Sequence, residues 1–380
     1  MTDKQRNDLK TKIQDEIAKL SVIHPYLIIQ GATGMGKALA VIKCIAKSKS
    51  TKKWLICVPE IAQIENFKNE FIKFGYEKLL NEKIENVICY ASLKNYENTS
   101  LNLALNECHS LSEVRFDIVT TIETDSIIAD SATIPEDIFY RLMSLQKFHL
   151  YSLSLKEGVT LGILPAPQIF TIPVSIKSIK EKFEYKKYGK IVKGTAEEYY
   201  QVLSDQVIYW RNRYNREGVD WMQNKSLQAA TQRKRFLGNL KTYQAKELIN
   251  QFKQNNERFI CFATDIKQST AIAGSTKFTI NSTKTSKTNL AIIDKFNKEE
   301  TNEIYCVGML ISGMNLTNTQ VGLVTQLDSG SNNQSLVISQ ICGRILRGKE
   351  PRLYILYIEN TQDEKYLNNA INAIGKEFVV

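Results

Sequence analysis

The stretch GATGMGKA, residues 31 to 38, has the glycine and lysine spacing of a phosphate-binding loop. Backbone N–H groups approach phosphate oxygens where side chains are absent, which is the role expected of Gly31, Gly34 and Gly36, with Thr33 between them. Lys37 would neutralise the β and γ phosphates, whereas Ala38 stands where the loop ordinarily has a Ser or Thr hydroxyl for Mg²⁺. The loop predicts nucleotide binding with a weakened metal site; the alternative is a glycine-rich turn without a ligand.

The sequence NECH offers a second group with chemistry. A strand that ends in Asp-Glu ordinarily supplies one carboxylate to Mg²⁺ and one glutamate that orients the attacking water. Here Asn106 keeps an oxygen but lacks the charge, and Glu107 follows it. A hydroxyl-rich turn, DSATI at 130 to 134, comes after another strand. A surface turn with a solvated Glu is the alternative, and FDIVTTIETD, which offers Glu123, ranks second as the acidic strand end.

A third group lies in QICGRILR near the end of the chain. On a helix, Gln340, Arg344 and Arg347 share one face, because they are separated by four and three residues. Two arginines on that face could stabilise the charge that builds on a transferring γ-phosphoryl group. The alternative is a basic, solvated helix face.

Apolar strands alternate with helical patterns on both sides of the chain's middle. YLIIQ runs directly into the glycine-rich loop, WLICVP and NVICYASL follow, and the alternation restarts at RFICFAT and continues to RLYILYI. This order predicts parallel sheets flanked by helices. A chain of 380 residues is long enough for two domains. We predict an α/β fold with a first domain over residues 1–172, a connector over 173–246 and a second domain over 247–380.

The net charge of +10 is concentrated in the connector. Between Lys177 and Lys246 there are 16 Lys and Arg against 7 Asp and Glu. The strand pattern disappears there, and apolar residues recur at helical spacing. The segment is therefore interpreted as a helical basic connector, and the charge suits a polyanionic partner.

Several classes of protein are disfavoured by the sequence. No apolar run approaches the roughly 18 residues of a membrane helix, and the charged N-terminus does not resemble a secretory signal. The seven cysteines are scattered and include no C-x-x-C pair, which favours reduced core residues. We expect a cytoplasmic protein without a membrane partner.

Taken in order, these motifs resemble those of the superfamily 2 helicases and translocases, in which two RecA-like domains bind ATP between them and hold a nucleic acid. GATGMGKA is similar to their first motif, NECH to the DEAD/DEAH-type box, and SAT, Ser131 to Thr133, to the third. FICFAT opens the second domain, while MLISGMNLTN and QICGRILRG are similar to the fifth and sixth motifs. The resemblance runs through nearly the whole chain.

The resemblance implies roles for particular residues, with ATP and Mg²⁺ as cofactors. It makes Lys37 the phosphate clamp, Glu107 the water-orienting base, and Arg344 and Arg347 the arginine fingers. His109 would connect the ATP site to Ser131 and Thr133. Residues that would bind the nucleotide, beyond the loop itself, are Gln14 as an adenine reader, Gly313, Asn315 and Gln340; Asn106 would meet the metal.

In such proteins the nucleic acid lies across both domains, so the connector is a candidate additional grip. Trp210, Arg211, Arg213 and Arg216 interleave rings with cations, which suits stacking and phosphate contact. In the alternative, Trp210 and Tyr214 pack inward while the arginines are solvated.

Ala38 and Asn106 depart from the family pattern, and both positions touch the Mg²⁺ shell. If each loss costs about 2 to 3 kcal/mol in the transition state, hydrolysis slows by roughly three to four decades. The leading hypothesis is a helicase-like ATPase acting on single- or double-stranded DNA or RNA, with weakened hydrolysis. The alternative is an inactive relative that binds nucleic acid or acts as a scaffold for replication or repair proteins.

Overall fold

The computed structural model describes most of the chain. The described ranges are 3–187, 189–307, 316–327 and 350–380. Among the described residues, 3–166 and Glu350 form the first compact unit, and the others, from Pro167 onward, form the second. Within the described ranges, no helix is both long enough and apolar enough to cross a bilayer.

The first unit is a parallel sheet with helices around it. Its strands are β1 (Tyr26–Gly31), β2 (Trp54–Val58), β3 (Ile84–Cys89), β4 (Asn102–Asn106), β5 (Ile127–Ser131) and β6 (His149–Leu153). They lie in the order β3-β2-β4-β5-β1-β6, all parallel. Its α-helices are α1 (Asp3–Ile23), α2 (Lys37–Lys47), α3 (Ala62–Lys73), α4 (Glu77–Glu82), α5 (Glu113–Thr121), α6 (Glu136–Leu145) and α7 (Leu155–Thr160).

Both faces of the inner strands are buried, which explains why β1 and β2 are nearly continuous apolar runs instead of alternating with polar residues. In β1, Leu27 and Ile29 join the hydrophobic cluster on one face, and Ile28 joins the cluster on the other. Successive strand side chains point to opposite faces, so both layers of helices are held by the same strands. The loops at the strand ends therefore rest on a rigid sheet.

The second unit repeats this architecture. Its strands are β7 (Gln168–Val174), β8 (Phe183–Lys187), β9 (Lys190–Gly194), β10 (Phe259–Ala263), β11 (Thr279–Ile280), β12 (Glu303–Val307), β13 (Val321–Val324) and β14 (Arg352–Ile358). Its α-helices are α8 (Ala196–Glu217), α9 (Asp220–Leu240), α10 (Thr242–Gln254), α11 (Ile266–Ala273), α12 (Ser286–Asn297) and α13 (Gln362–Ile374). Six strands form a parallel sheet in the order β11-β12-β10-β13-β14-β7. Two parallel sheets flanked by helices confirm the predicted fold class.

The division between the units differs from the predicted one. The predicted end of the first domain, residue 172, falls inside β7. β7 pairs with β14 along its whole length, from Gln168 opposite Arg352 to Val174 opposite Ile358. The chain thus enters the second sheet at Gln168, four residues before the predicted boundary.

The predicted connector, residues 173–246, belongs to the second unit. It is helical in α8 and α9, as expected, but it also contains the antiparallel hairpin of β8 and β9. Phe183 of the hairpin contacts Tyr199 of α8 and Phe236 of α9, with ring centroids 6.2 and 5.1 Å away. These aromatic contacts fix the hairpin to both helices, which the charge and helical pattern alone did not indicate.

Candidate nucleotide site

Three loops meet at the carboxyl edge of the first sheet. β5 lies between β4 and β1, and the register pairs Asn106 with Asp130 and Gln30 with Ser131. The glycine-rich loop after β1, the NECH segment after β4 and the SAT turn after β5 therefore leave the sheet side by side. Ligands of open α/β sheets bind at this edge.

The backbone of the glycine-rich loop is left-handed at two glycines, with φ of +97° at Gly34 and +86° at Gly36. Gly36 caps α2, and the Gln14 amide donates to the carbonyl oxygens of Met35 and Gly36 at 3.1 and 3.3 Å. A Cβ at Gly36 would lie 2.4 Å from Gln14 Nε2. The dihedral angle requires glycine, and a side chain there would displace the Gln14 amide that holds the loop.

Lys37 is the first residue of α2 and is buried, with 8% of its surface exposed. Its ammonium donates to the carbonyl oxygen of Gly31 at 3.2 Å and lies 3.8 Å from Glu107 Oε1. An ammonium has three donors, and only one of them is used in a hydrogen bond within the described residues. Lys37 is consequently positioned beside the loop with hydrogen-bonding capacity to spare.

Glu107, His109 and Ser131 form one polar cluster. His109 Nδ1 lies 2.8 Å from Ser131 Oγ and 3.4 Å from Glu107 Oε2. Ser131 donates its single hydrogen to the Thr133 carbonyl oxygen at 2.6 Å, so His109 Nδ1 carries the proton shared with Ser131. Glu107 has left-handed backbone, φ +49°, which turns the chain sharply after β4. The predicted coupling residues are therefore in contact.

Asp130 is a carboxylate of this site that the sequence reasoning did not single out. Asn106 Nδ2 donates to both of its oxygens at 3.0 Å, and the backbone N–H of Glu107 donates to it as well. Burial, and then the Glu107 charge, raise the pKa of Asp130 to about 7, against the opposing charge of Lys37. The signal available in the sequence was an acidic residue that follows an apolar run directly before SAT.

The alternative acidic strand end is not formed. FDIVTTIETD contributes to α5, not to a strand, and Glu123 follows that helix. Its side chain is 77% exposed and pairs with Lys52 at 3.2 Å. Glu123 is a solvated surface residue.

A divalent cation at this site would find oxygen donors but no preformed cage. Ala38 offers only a methyl group, which packs against the first hydrophobic cluster. The described residues contain no group of three His, Cys, Asp or Glu suited to a metal. Asn106 Oδ1, which has no hydrogen bond within the described part of the chain, and the Glu107 carboxylate are hard donors of the kind that Mg²⁺ accepts through its water shell. These residues fit a hydrated ion held mainly by nucleotide phosphates.

Five predicted site residues lie outside the described ranges: Gly313, Asn315, Gln340, Arg344 and Arg347. Thr33 is half-buried within the loop. Thr133 Oγ1 is buried without a hydrogen-bond partner in the described structure, and so is Gln14 Oε1. The adenine-reading role of Gln14 stays a prediction.

The connector residues cluster near the turn between α8 and α9. Trp210 contacts Trp221 edge to face at 5.6 Å, and Arg213 lies over both rings at 5.7 and 5.9 Å. Arg213 also donates twice to Glu217 at 3.0 Å, and Arg216 donates to the same carboxylate. Arg211 is exposed and has no ion pair with a described residue.

The fold, a RecA-like parallel sheet flanked by helices in each unit, is similar to that of solved helicase structures. The Pyrococcus furiosus Hef helicase domain is similar over 95% of this chain and 97% of its own, with a TM-score of 0.52 and 11% identity. S. cerevisiae Dbp5 bound to RNA and ADP BeF3 is similar over 96% of this chain and 87% of its own, with a TM-score of 0.60 and 12% identity. At these identities the likeness establishes the fold. No protein-family model and no curated protein matches the chain.

Proposed function

We propose that the chain is a helicase-like, nucleic-acid-binding ATPase whose hydrolysis is slowed by Ala38 and Asn106. The observation that carries the proposal is the environment of Lys37. Within the described residues its ammonium uses only one donor, it lies 3.8 Å from Glu107, and it adjoins a loop whose glycines have the backbone of a phosphate cradle.

In this proposal the loop N–H groups and Lys37 bind the triphosphate, and the N-terminus of α2 faces its negative charge. Mg²⁺, when bound, would neutralise charge on the β and γ phosphates, with Asn106 and Glu107 meeting its water shell. Glu107 orients the attacking water and accepts its proton. The contact of His109 with Ser131 connects that glutamate to the SAT turn.

The arginine fingers, Arg344 and Arg347, remain predictions from the sequence. They would stabilise the charge on the transferring phosphoryl group. The nucleic-acid partner is supported by the net charge of +10, the exposed Arg211 and the aromatic cluster around Trp210. Dbp5, which shares the fold, is bound to RNA.

A steady-state ATPase assay with and without single-stranded DNA or RNA tests the proposal. We expect slow hydrolysis that nucleic acid stimulates. Glu107→Gln should reduce the rate by roughly 10²- to 10⁴-fold, because it removes the base. Ala38→Thr should raise the rate roughly tenfold or more by restoring a hydroxyl to the metal shell.

Glu123→Gln is the matched control, since it removes an exposed glutamate and should leave the rate unchanged. The enzymatic proposal is wrong if ATP fails to bind. If ATP binds but neither the parent nor Ala38→Thr hydrolyses it, while nucleic acid still binds, the chain is the inactive nucleic-acid-binding or scaffold protein instead.

A further inference from the structure

The first unit contains a buried carboxylate for which the proposed ATPase mechanism has no use. Asp130 is 1% exposed, and it is the second-last residue of β5, directly opposite Asn106 at the end of β4. It has no ion pair with a described residue, and its hydrogen bonds come from an amide and a backbone N–H. Burying a carboxylate whose direct partners are neutral donors is costly, and the charge of Lys37 offsets only part of that cost, since the pKa of Asp130 is still raised.

Asp130 determines how the Asn106 amide is oriented. Both Asp130 oxygens accept from Nδ2 at 3.0 Å, and a rotated amide would bring Oδ1 to that distance instead. Two acceptors without a proton repel each other, so the observed orientation is the favoured one. The amide nitrogen is therefore occupied by Asp130, and the carbonyl oxygen Oδ1 is left without a protein partner among the described residues.

We propose that Asp130 supplies, from β5, the negative charge that an aspartate at position 106 would supply from β4, and that it acts through Asn106. Asn106 then offers Oδ1 to a water of a nucleotide-bound Mg²⁺, and Asp130 adds long-range attraction for that cation from within the low-dielectric sheet. Asp130 is a positioning residue in this arrangement. The inference rests on the proposed nucleotide binding, and it names the group that replaces the missing strand-end charge.

The arrangement makes a specific prediction about exchange of the two side chains. Asn106→Asp alone would set one carboxylate about 3.0 Å from the other, which disfavours the doubly charged pair. The double variant Asn106→Asp/Asp130→Asn keeps one carboxylate and one amide in the same contact and moves the charge to β4. The double variant should therefore function where each single variant fails.

The test is the affinity for a fluorescent ATP analogue, measured in Mg²⁺ and again in EDTA at one fixed pH well above 7, where Asp130 is ionised. The readout is the ratio of the two dissociation constants, which needs no hydrolysis. We expect Mg²⁺ to tighten binding by the parent at least about tenfold and to change binding by Asp130→Asn less than about twofold. The double variant should recover most of the parent ratio. In EDTA, Asp130→Asn should bind at least as tightly as the parent, because it removes a negative charge near the triphosphate.

The outcomes separate this inference from the proposed function. Absence of binding by the parent in either buffer overturns the proposed function, and this inference with it. A parent that binds with a ratio near one, or an Asp130→Asn variant that keeps the parent ratio, overturns the inference alone. So does an Asp130→Asn variant that loses affinity equally in both buffers, because that pattern is the signature of a purely structural contact.

Discussion

Each unit contains a lysine buried in its interior, and the two are treated in opposite ways. Lys241 is fully buried, and its three ammonium donors meet the Asp363 carboxylate, Gln326 Oε1 at 2.8 Å and the Leu356 carbonyl oxygen at 3.4 Å. Lys37 is nearly as buried, yet within the described residues it makes one hydrogen bond and one longer contact to a carboxylate. An ammonium with every donor satisfied has no capacity for a ligand, whereas Lys37 has two donors remaining.

The carboxylate that pairs with Lys241 is itself fully hydrogen-bonded. Asp363 accepts from Lys241, from Gln326 Nε2 and from the backbone N–H of Ile358. This network connects the start of α10 to β14 and α13 within the second unit. The comparison shows that burial of a lysine does not by itself identify a binding site. A buried lysine with unused hydrogen-bond donors does.

The largest expected effect is a loss of stability, caused by breaking the hydrogen-bond network around Lys241. Lys241→Met leaves Asp363 buried without its ammonium, which costs about 3–5 kcal/mol of stability and lowers the melting temperature by roughly 10 °C. Lys37→Met, the matched change in the first unit, should cost less than about 1 kcal/mol, because that ammonium is only partly compensated. Differential scanning calorimetry of the two variants compares them. Equal losses would refute the distinction between the two lysines.

The next effect concerns the pH dependence of stability in the first unit. The folded pKa of Asp130, about 7, is above its ordinary value of 3.8, so the folded protein holds more protons than the unfolded chain between these values. Stability therefore falls as pH rises through this window. Asp130→Asn removes this titrating group. Between pH 5 and pH 8, the melting temperature of the variant should fall by about 2–4 °C less than that of the parent.

Asp125→Asn is the control for this series. Asp125 is exposed, and hydrogen bonds from Ser50 and then Lys52 lower its pKa, so it stays ionised throughout that range. The pH dependence of the control should equal that of the parent. If the melting temperature of Asp130→Asn depends on pH as that of the parent does, the claim that Asp130 is buried with a raised pKa is wrong.

The smallest effect extends the same reasoning to the connector. Arg213 uses two donors in hydrogen bonds to Glu217, whereas Arg211 is exposed and has no ion pair with a described residue. Arg211→Gln should weaken binding of single-stranded nucleic acid and reduce the slope of log affinity against log salt by about 0.7, the value for one phosphate contact. Arg213→Gln should change the slope less. Fluorescence anisotropy titrations at several salt concentrations measure both, and identical slopes for the two variants would remove Arg211 from the interface.

Much of the fold was predictable from the sequence, because continuous apolar runs and helical spacing reflect burial directly. The strand before the glycine-rich loop was predicted as YLIIQ and is found as Tyr26–Gly31. β7 was missed because it lies at the edge of its sheet and its partner, β14, follows about 180 residues later. Pairing over such a distance leaves no local signal. FDIVTTIETD contains a β-branched apolar run, but its first residues form a helix with Phe116 and Val119 buried.

The site was predictable where a motif ties residue types to a spacing, and not where two strands contribute one contact. The loop, Glu107, His109 and Ser131 follow from motifs, whereas the pairing of Asn106 with Asp130 depends on the order of strands in the sheet. Charge counting also has a limit. Lys241 was counted as part of a basic surface and is instead buried within the second unit. A sequence records the charge of a side chain but not its partner.

The central claim is that the spare donors of Lys37 bind the phosphates of a nucleotide. Isothermal titration of the parent and of Lys37→Met with MgATP measures this directly. We predict saturable binding of one nucleotide by the parent and an affinity about 10- to 100-fold lower for Lys37→Met, since a hydrogen bond to a charged group contributes about 1.5–3 kcal/mol. Equal affinities for the two proteins, or no binding by the parent, would contradict the account.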